Sequence, residues 1–127
     1  MQIHQSAEDY LETILMLNQR MGRVRSIDVV NELGYTKASV SIAMKKLREN
    51  GYIAVDGEGN LTLLEPGREI AERIYSRHRL LTHFFVQLGV EEDIAAEDAC
   101  KAEHILSEQT LEKIREYALL HDAESTL

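Results

Sequence analysis

The chain of 127 residues has one cysteine, Cys100, one proline, Pro66, and no tryptophan. A single cysteine excludes an internal disulfide and any zinc finger built on cysteine pairs, and it points to a reducing, cytoplasmic setting. No apolar run approaches the roughly 18–20 residues of a membrane span, so no membrane partner is expected. The start, MQIHQSAEDY, lacks a basic stretch leading into an apolar one, and no secretion signal is expected. There is no internal repeat, low-complexity linker, Gly-rich phosphate loop or evident oxyanion element. An enzyme using Cys100 with His104 or His78 as a nucleophile–base pair therefore has little to support it, and the expectation is that the chain is not an enzyme.

What is present describes a globular chain: 44% hydrophobic and 28% charged residues. The net charge of −8 argues at first against nucleic acid, but it is unevenly spread. Residues 1–64 hold seven Lys/Arg against eight Asp/Glu, and residues 65–127 hold seven against fourteen. The first half can present a local basic surface, while the acidic second half attracts cations.

Ser6 to about Arg20 reads as a helix capped by Ser6, with Leu11, Ile14 and Leu15 on one face and Leu17 at its edge. In RSIDVVNELGYTKASVSIAMKKLRENGYI, Ser26 is expected to cap a helix over Ile27 to Leu33, stopped by Gly34. Thr36 caps a second helix, Lys37 to Asn50, ending at Gly51. Two short helices around a Gly-containing turn make a helix-turn-helix. YIAV and LTLL then flank DGEGN as a hairpin, which completes a winged helix. From Pro66 a long helix is expected to run to Leu88, carrying Ile70, Ile74, Leu81, Phe85 and Leu88. Another spans about Glu92 to Leu106, and a last one opens at Ser107, with the tail HDAESTL fraying.

Val40, Met44 and Leu47 form the inward stripe of the Lys37–Asn50 helix. Lys37, Ala38, Ser41, Ile42, Lys45 and Arg48 are thereby turned outward or to the flanks. Short residues in the first turns suit entry into a major groove, and lysines such as Lys45 and Lys46 suit phosphates. Ala38 and Ile42 can meet thymine methyls, and Ser39 or Ser41 can bond to base edges or phosphates. Arg23 and Arg25 add possible backbone contacts. The plainer reading is an amphipathic helix with a solvated basic face, and the hairpin directly after it favours double-stranded DNA.

In the acidic half, DACKAEHILSEQ places Cys100, Glu103 and His104 within an arc of about 100° if the helix continues. Ala95, Ala99, Ala102 and Leu106 would face the core. Asp9 and Glu12 share a face of the first helix, His78 borders the apolar stripe of the long helix, and His83 lies off it. Thiolate, carboxylate and imidazole are all metal donors. Each also has an ordinary role: Asp9 as a cap, Glu12 as a solvated carboxylate, His78 as a hydrogen-bonded core histidine, Cys100 as a small apolar filler.

The order EDYLETIL, TKASVSIAMKKL, YSRHRLL, ACKAEHILS resembles the DtxR/MntR family of metal-dependent bacterial transcriptional repressors over nearly the whole chain. The resemblance implies a mainly α fold, with an N-terminal winged helix-turn-helix domain over 1–64 and a helical dimerisation and metal-binding domain over 65–127. It implies metal ligands at Asp9, Glu12, His78, Cys100, Glu103 and His104. It implies DNA-reading positions within Lys37 to Ile42 beside Thr36, and a homodimer on a palindromic operator. It further implies that the C-terminal β-barrel of longer members is missing, as in the manganese-type branch. Manganese-type members usually carry Glu at the position of Cys100, and iron-type members commonly carry Met at that of Asp9. Thr82 and Ala96 stand where iron-type members place a Glu and a His of an additional site. The thiolate favours Fe²⁺, with Mn²⁺ close behind and Zn²⁺, Co²⁺ or Ni²⁺ able to bind in vitro. The rival expectation is a metal-independent winged-helix regulator that answers a small molecule or oxidation of Cys100. The dimer surface is expected on Leu80, Leu81, Phe84 and the last helices.

Overall fold

The computed structural model describes residues 5–125. Along them run α1 (Gln5–Met21), α2 (Ser26–Leu33), α3 (Lys37–Glu49), β1 (Ile53–Val55), β2 (Leu61–Leu63), α4 (Glu65–Gln87), α5 (Glu92–Ala102) and α6 (Glu108–Ser125). Two compact units divide the chain, one through Arg73 and one from Ile74. The fold is mainly helical, as expected. Met1 to His4, on which part of the secretion-signal expectation falls, and Thr126 and Leu127 of the tail lie outside the described residues. The expected fraying of HDAESTL is not seen as far as Ser125, where α6 is still helical.

In the first unit, apolar residues three and four apart bring α1, α2 and α3 together. Leu11, Ile14, Leu15 and Leu17 of α1, Val29 of α2, and Val40, Met44 and Leu47 of α3 are all buried. Each large aliphatic side chain taken out of water contributes about 1.5–3 kcal/mol before entropy is counted. Two caps differ from expectation. α1 already includes Gln5, so Ser6 lies inside the helix. α2 begins at Ser26, because the Asp28 carboxylate accepts the Arg25 backbone N–H at 2.9 Å and makes Arg25 the cap. Gly34 closes α2 at φ 72°, the left-handed region that glycine enters at least cost, and its N–H donates to the Val30 carbonyl at 2.8 Å. Thr36 caps α3 as expected, its Oγ1 accepting the Ser39 N–H at 3.1 Å.

The hairpin pairs Ile53 with Leu63 and Val55 with Leu61. Ile53, Leu61 and Leu63 are buried while Thr62 is exposed, the alternation of a strand with one covered face. Asp56 holds the tip, its carboxylate accepting the backbone N–H groups of Glu58 and Asn60, each at 2.9 Å. Leu61 N–H donates to the Val24 carbonyl at 2.7 Å, tying the wing to the segment before α2. Gly67, in the first turn of α4, lies so close to the Tyr52 carbonyl that a Cβ would come within 2.2 Å of its oxygen.

The second unit packs Leu81 of α4, Ala99 of α5 and Leu111 of α6 into one core, with Leu80, Phe85, Ala102, Leu106 and Ile114 partly buried against it. Small residues on α5 allow the close approach that the sequence suggests. Three expectations change here. Leu81 is 0% exposed within the protomer, so it belongs to the core and not to a dimer surface. Leu88 is exposed. α5 ends at Ala102 rather than near Leu106, passing through a tight turn in which Ile105 N–H donates to the Ala102 carbonyl at 3.1 Å. That turn lets Leu106 reach the core, and Ser107 starts α6 by accepting the Thr110 N–H at 3.1 Å. Among the described residues no helix is long and apolar enough to cross a membrane.

Candidate metal centre and nucleic-acid face

Glu103 is the centre of the acidic unit. It sits at the C-cap of α5, its N–H held by the Ala99 carbonyl at 2.9 Å, and it is 0% exposed. Its Oε2 lies 3.1 Å from His78 Nδ1, on α4. Its Oε1 lies 3.4 Å from His104 Nε2 and has no hydrogen bond. The carboxylate thus stands between two imidazoles. Cys100, one helical turn earlier and exposed, joins His78 and Glu103 so that the three donor atoms lie within 4.8 Å of one another. A buried carboxylate oxygen lacking a hydrogen bond normally costs stability. A cation held by imidazole, carboxylate and thiol donors would satisfy it, and that donor set suits a first-row transition metal better than Ca²⁺ or Mg²⁺.

His78 is pushed up to about 10, first by its hydrogen bond with the Cys100 side chain and then by Glu103, with burial opposing both. Without a metal it is therefore an imidazolium at neutral pH, and that proton must leave before the ring can ligate. Thr82 spends its hydroxyl on the His78 carbonyl, at 2.7 Å. His83 is exposed and pairs with Asp122, at 2.8 Å.

The remaining expected ligands, Asp9 and Glu12, lie on α1 in the first unit. Asp9 is partly buried, and Glu12 is 5% exposed. One residue not singled out in the sequence stands next to the cluster. Arg77 donates from Nη1 to the Glu103 carbonyl at 3.2 Å and from Nη2 to the Glu108 carboxylate. Its only sequence signal is a cation beside His78 in an acidic half.

On α3, Lys37, Ala38, Ser41, Ile42, Lys45, Lys46 and Arg48 are exposed, opposite the buried Val40, Met44 and Leu47. Ile42 is 58% exposed, an apolar side chain that the described residues leave largely uncovered. Thr36 and Ser39 are committed to each other, the Thr36 hydroxyl donating to Ser39 Oγ at 2.9 Å, which leaves the Ser39 O–H as a donor. Arg23 and Arg25 are exposed, and Arg23 lies 3.9 Å from Glu58 of the wing.

A winged helix-turn-helix joined to a helical unit with a His–Cys–Glu cluster has the architecture of a metal-regulated DNA-binding protein. Residues 2–61 match the iron-dependent repressor N-terminal DNA-binding domain, and residues 64–119 match the iron-dependent repressor metal-binding and dimerisation domain. The chain belongs to this DtxR/MntR family of DNA-binding transcriptional repressors. It is 35% identical over 113 residues to an HTH-type transcriptional regulator of Methanocaldococcus jannaschii, covering 87% of this chain and 90% of that one. It is 33% identical over 109 residues to the HTH-type transcriptional regulator MntR of Bacillus subtilis, covering 86% and 77%. Among solved structures it resembles a manganese-dependent transcriptional repressor in complex with manganese, at TM-score 0.80 and 29% identity, covering 88% of this chain. The IdeR structure of T. acidophilum shares the fold, at TM-score 0.80 and 22% identity. The chain spans about half the length of these two solved structures, 52% and 55%.

Proposed function

We propose that this protein represses metal-homeostasis genes by binding a palindromic operator as a homodimer when Fe²⁺ occupies the cluster around Glu103. The observation that carries the reading is the fully buried Glu103 carboxylate between His78 and His104, with Cys100 beside it. His78, Cys100, Glu103 and His104 are the ligands supplied by the second unit, and the family pattern adds Asp9 and Glu12 from α1. When bound, the metal supplies positive charge to a group of donors that otherwise must protonate or repel. His78 would have to give up its proton to ligate, and the Glu103 carboxylate, now in contact with that ring, would help to hold the cation. The acidic unit is then fixed in one arrangement, and an effector of this kind acts by favouring the DNA-competent state.

DNA is read by α3: Lys37, Ala38, Ser39, Ser41 and Ile42 toward base edges, and Lys45, Lys46, Arg23 and Arg25 toward phosphates, with Thr36 fixing the start of the helix as its cap. Dimerisation is supported by the apolar side chains that the second unit leaves uncovered, with Leu88, Ile105, Leu119 and Leu120 each more than 60% exposed. The thiol of Cys100 favours Fe²⁺. Mn²⁺ is the second reading, favoured by the likeness to a solved manganese-dependent repressor.

The test uses a duplex selected from a random-sequence pool with metal present. Anaerobic fluorescence anisotropy with chelator, Fe²⁺ or Mn²⁺ should show binding about 5–150-fold tighter with the cognate ion, the usual range of allosteric coupling. Equal affinity in chelator and in both metals would sink the effector role. It would favour a metal-independent regulator, and loss of binding on Cys100 oxidation would then identify the alternative signal.

A further inference from the structure

We propose that Arg77 is a positioning residue for the metal ligands of the α5–α6 turn; the proposal rests on the metal reading above. The need for such a residue comes from where α5 stops. Glu103 and His104 lie just past Ala102, the last residue of the helix; the ladder still holds the Glu103 N–H, on the Ala99 carbonyl, but leaves the Glu103 carbonyl without a helical partner. In a continuing helix the Glu103 carbonyl would accept from the N–H of residue 107. Here the chain has turned away and Ser107 caps α6, so that carbonyl is one of the orphans every helix C-terminus leaves.

Arg77 takes it. One guanidinium nitrogen donates to the Glu103 carbonyl at 3.2 Å, while the other is anchored on the Glu108 carboxylate in the first turn of α6. With its N–H on Ala99 and its C=O on Arg77, Glu103 has the peptide groups on both sides pinned. Two pinned peptide groups leave little freedom in the direction of the Glu103 side chain, which aims at His78, the neighbour of Arg77 on α4. A cation at a helix C-terminus is also favoured by the helix dipole.

Arg77 does more here than an ordinary surface ion pair. Its side chain is only 15% exposed, against 79% for Glu108, so the guanidinium is held largely away from water at the turn. Its planar fork can serve a carbonyl and a carboxylate together, which a lysine ammonium does less rigidly. It touches none of the donor atoms of the cluster. Its effect must therefore appear in how well the ligands are placed, as with other outer groups that orient metal ligands.

The experiment is an anaerobic Co²⁺ titration against a competing chelator. It follows the thiolate charge-transfer and ligand-field absorption of the wild type, Arg77→Ala, Arg77→Lys and Glu108→Gln. Arg77→Ala should weaken Co²⁺ binding about 10–100-fold, the usual cost of removing an outer-shell partner, and should alter the ligand-field bands. Arg77→Lys should restore most of the affinity. Glu108→Gln, at an exposed position where folding is not at risk, should shift affinity in the same direction by less. Wild-type affinity and spectrum in a folded Arg77→Ala would overturn the proposal, as would equal losses in Ala and Lys variants that track lost helix content. A wild type that takes up no Co²⁺ would overturn the metal reading itself, and the role of Arg77 with it.

Discussion

The two units are held together in different ways. The unit through Arg73 buries leucine, isoleucine and valine from three helices and both strands, and among its described residues Glu12 is the one buried carboxylate. The unit from Ile74 has a smaller apolar core around Leu81, Ala99 and Leu111, and beside it a polar group made of Arg77, His78, Glu103 and His104. Apolar burial is indifferent to pH and to ions, whereas a buried carboxylate needs its cations. The first unit therefore rests mainly on apolar burial, with Glu12 as its exception. The second carries, beside its core, a charged group whose balance a bound cation would change.

The sharpest way to break that contrast is pH. In the metal-free protein His78 titrates near 10, against about 6.5 in the unfolded chain. The stabilisation it gives is thus fully present below pH 6.5 and is lost as pH rises through about 10. Metal affinity should move the other way over the same window, since the imidazolium must lose its proton to ligate. Amide exchange measured at rising pH, corrected for intrinsic rates and without metal, should show protection falling in the second unit while the first holds. His78→Gln should flatten the trend, and an unchanged slope in that variant would assign the effect elsewhere.

The next largest effect falls on the first unit. Gly67→Ala would gain about 1 kcal/mol of helix propensity. Against that stands a methyl 2.2 Å from the Tyr52 carbonyl oxygen, a rigid backbone atom. Overpacking of this kind costs about 1–3 kcal/mol, so the net expectation is a loss of up to about 2 kcal/mol in urea denaturation. Co²⁺ uptake should be unaffected. A stabilised Gly67→Ala would mean that α4 readily moves away from the wing. The smallest effect is expected at the cap of α3. Thr36→Ala removes the acceptor for the Ser39 N–H and should cost about 1 kcal/mol, read by the same denaturation.

Much of this was legible in the order of residues. The α2–α3 pair, the hairpin with its DGEGN tip and the long α4 follow from periodicity and turn chemistry, which are local. The inward stripe Val40, Met44 and Leu47 and the exposed Ile42 on the other face of α3 are as the spacing implies. What was not legible depended on packing at a distance. Nothing near Ala102 breaks a helix; the turn there exists because Leu106 joins a core made by α4 and α6. Leu81 reads equally well as core or as dimer surface until those neighbours are known. The Cys100, Glu103 and His104 donors were identified as a group, but from an ideal helix. In the structure Glu103 is the cap and His104 lies in the turn, and so the importance of Arg77 could not be seen.

The end of α3 carries one more consequence, in chemical ageing. Asn50–Gly51 is a step of the kind that deamidates fastest, through attack of the glycine nitrogen on the asparagine side chain. Here the Asn50 amide donates to the Lys46 carbonyl at 2.7 Å, and Gly51 N–H is spent on the Arg48 carbonyl at 3.1 Å. Both reacting groups are held by the helix they terminate, so the intact fold slows the reaction. Once the last turn opens, the conversion to aspartate exchanges a donor for a negative charge facing the Lys46 carbonyl, and the turn cannot close as before. The mass of this one residue is thus a slow record of how often the end of α3 has unwound.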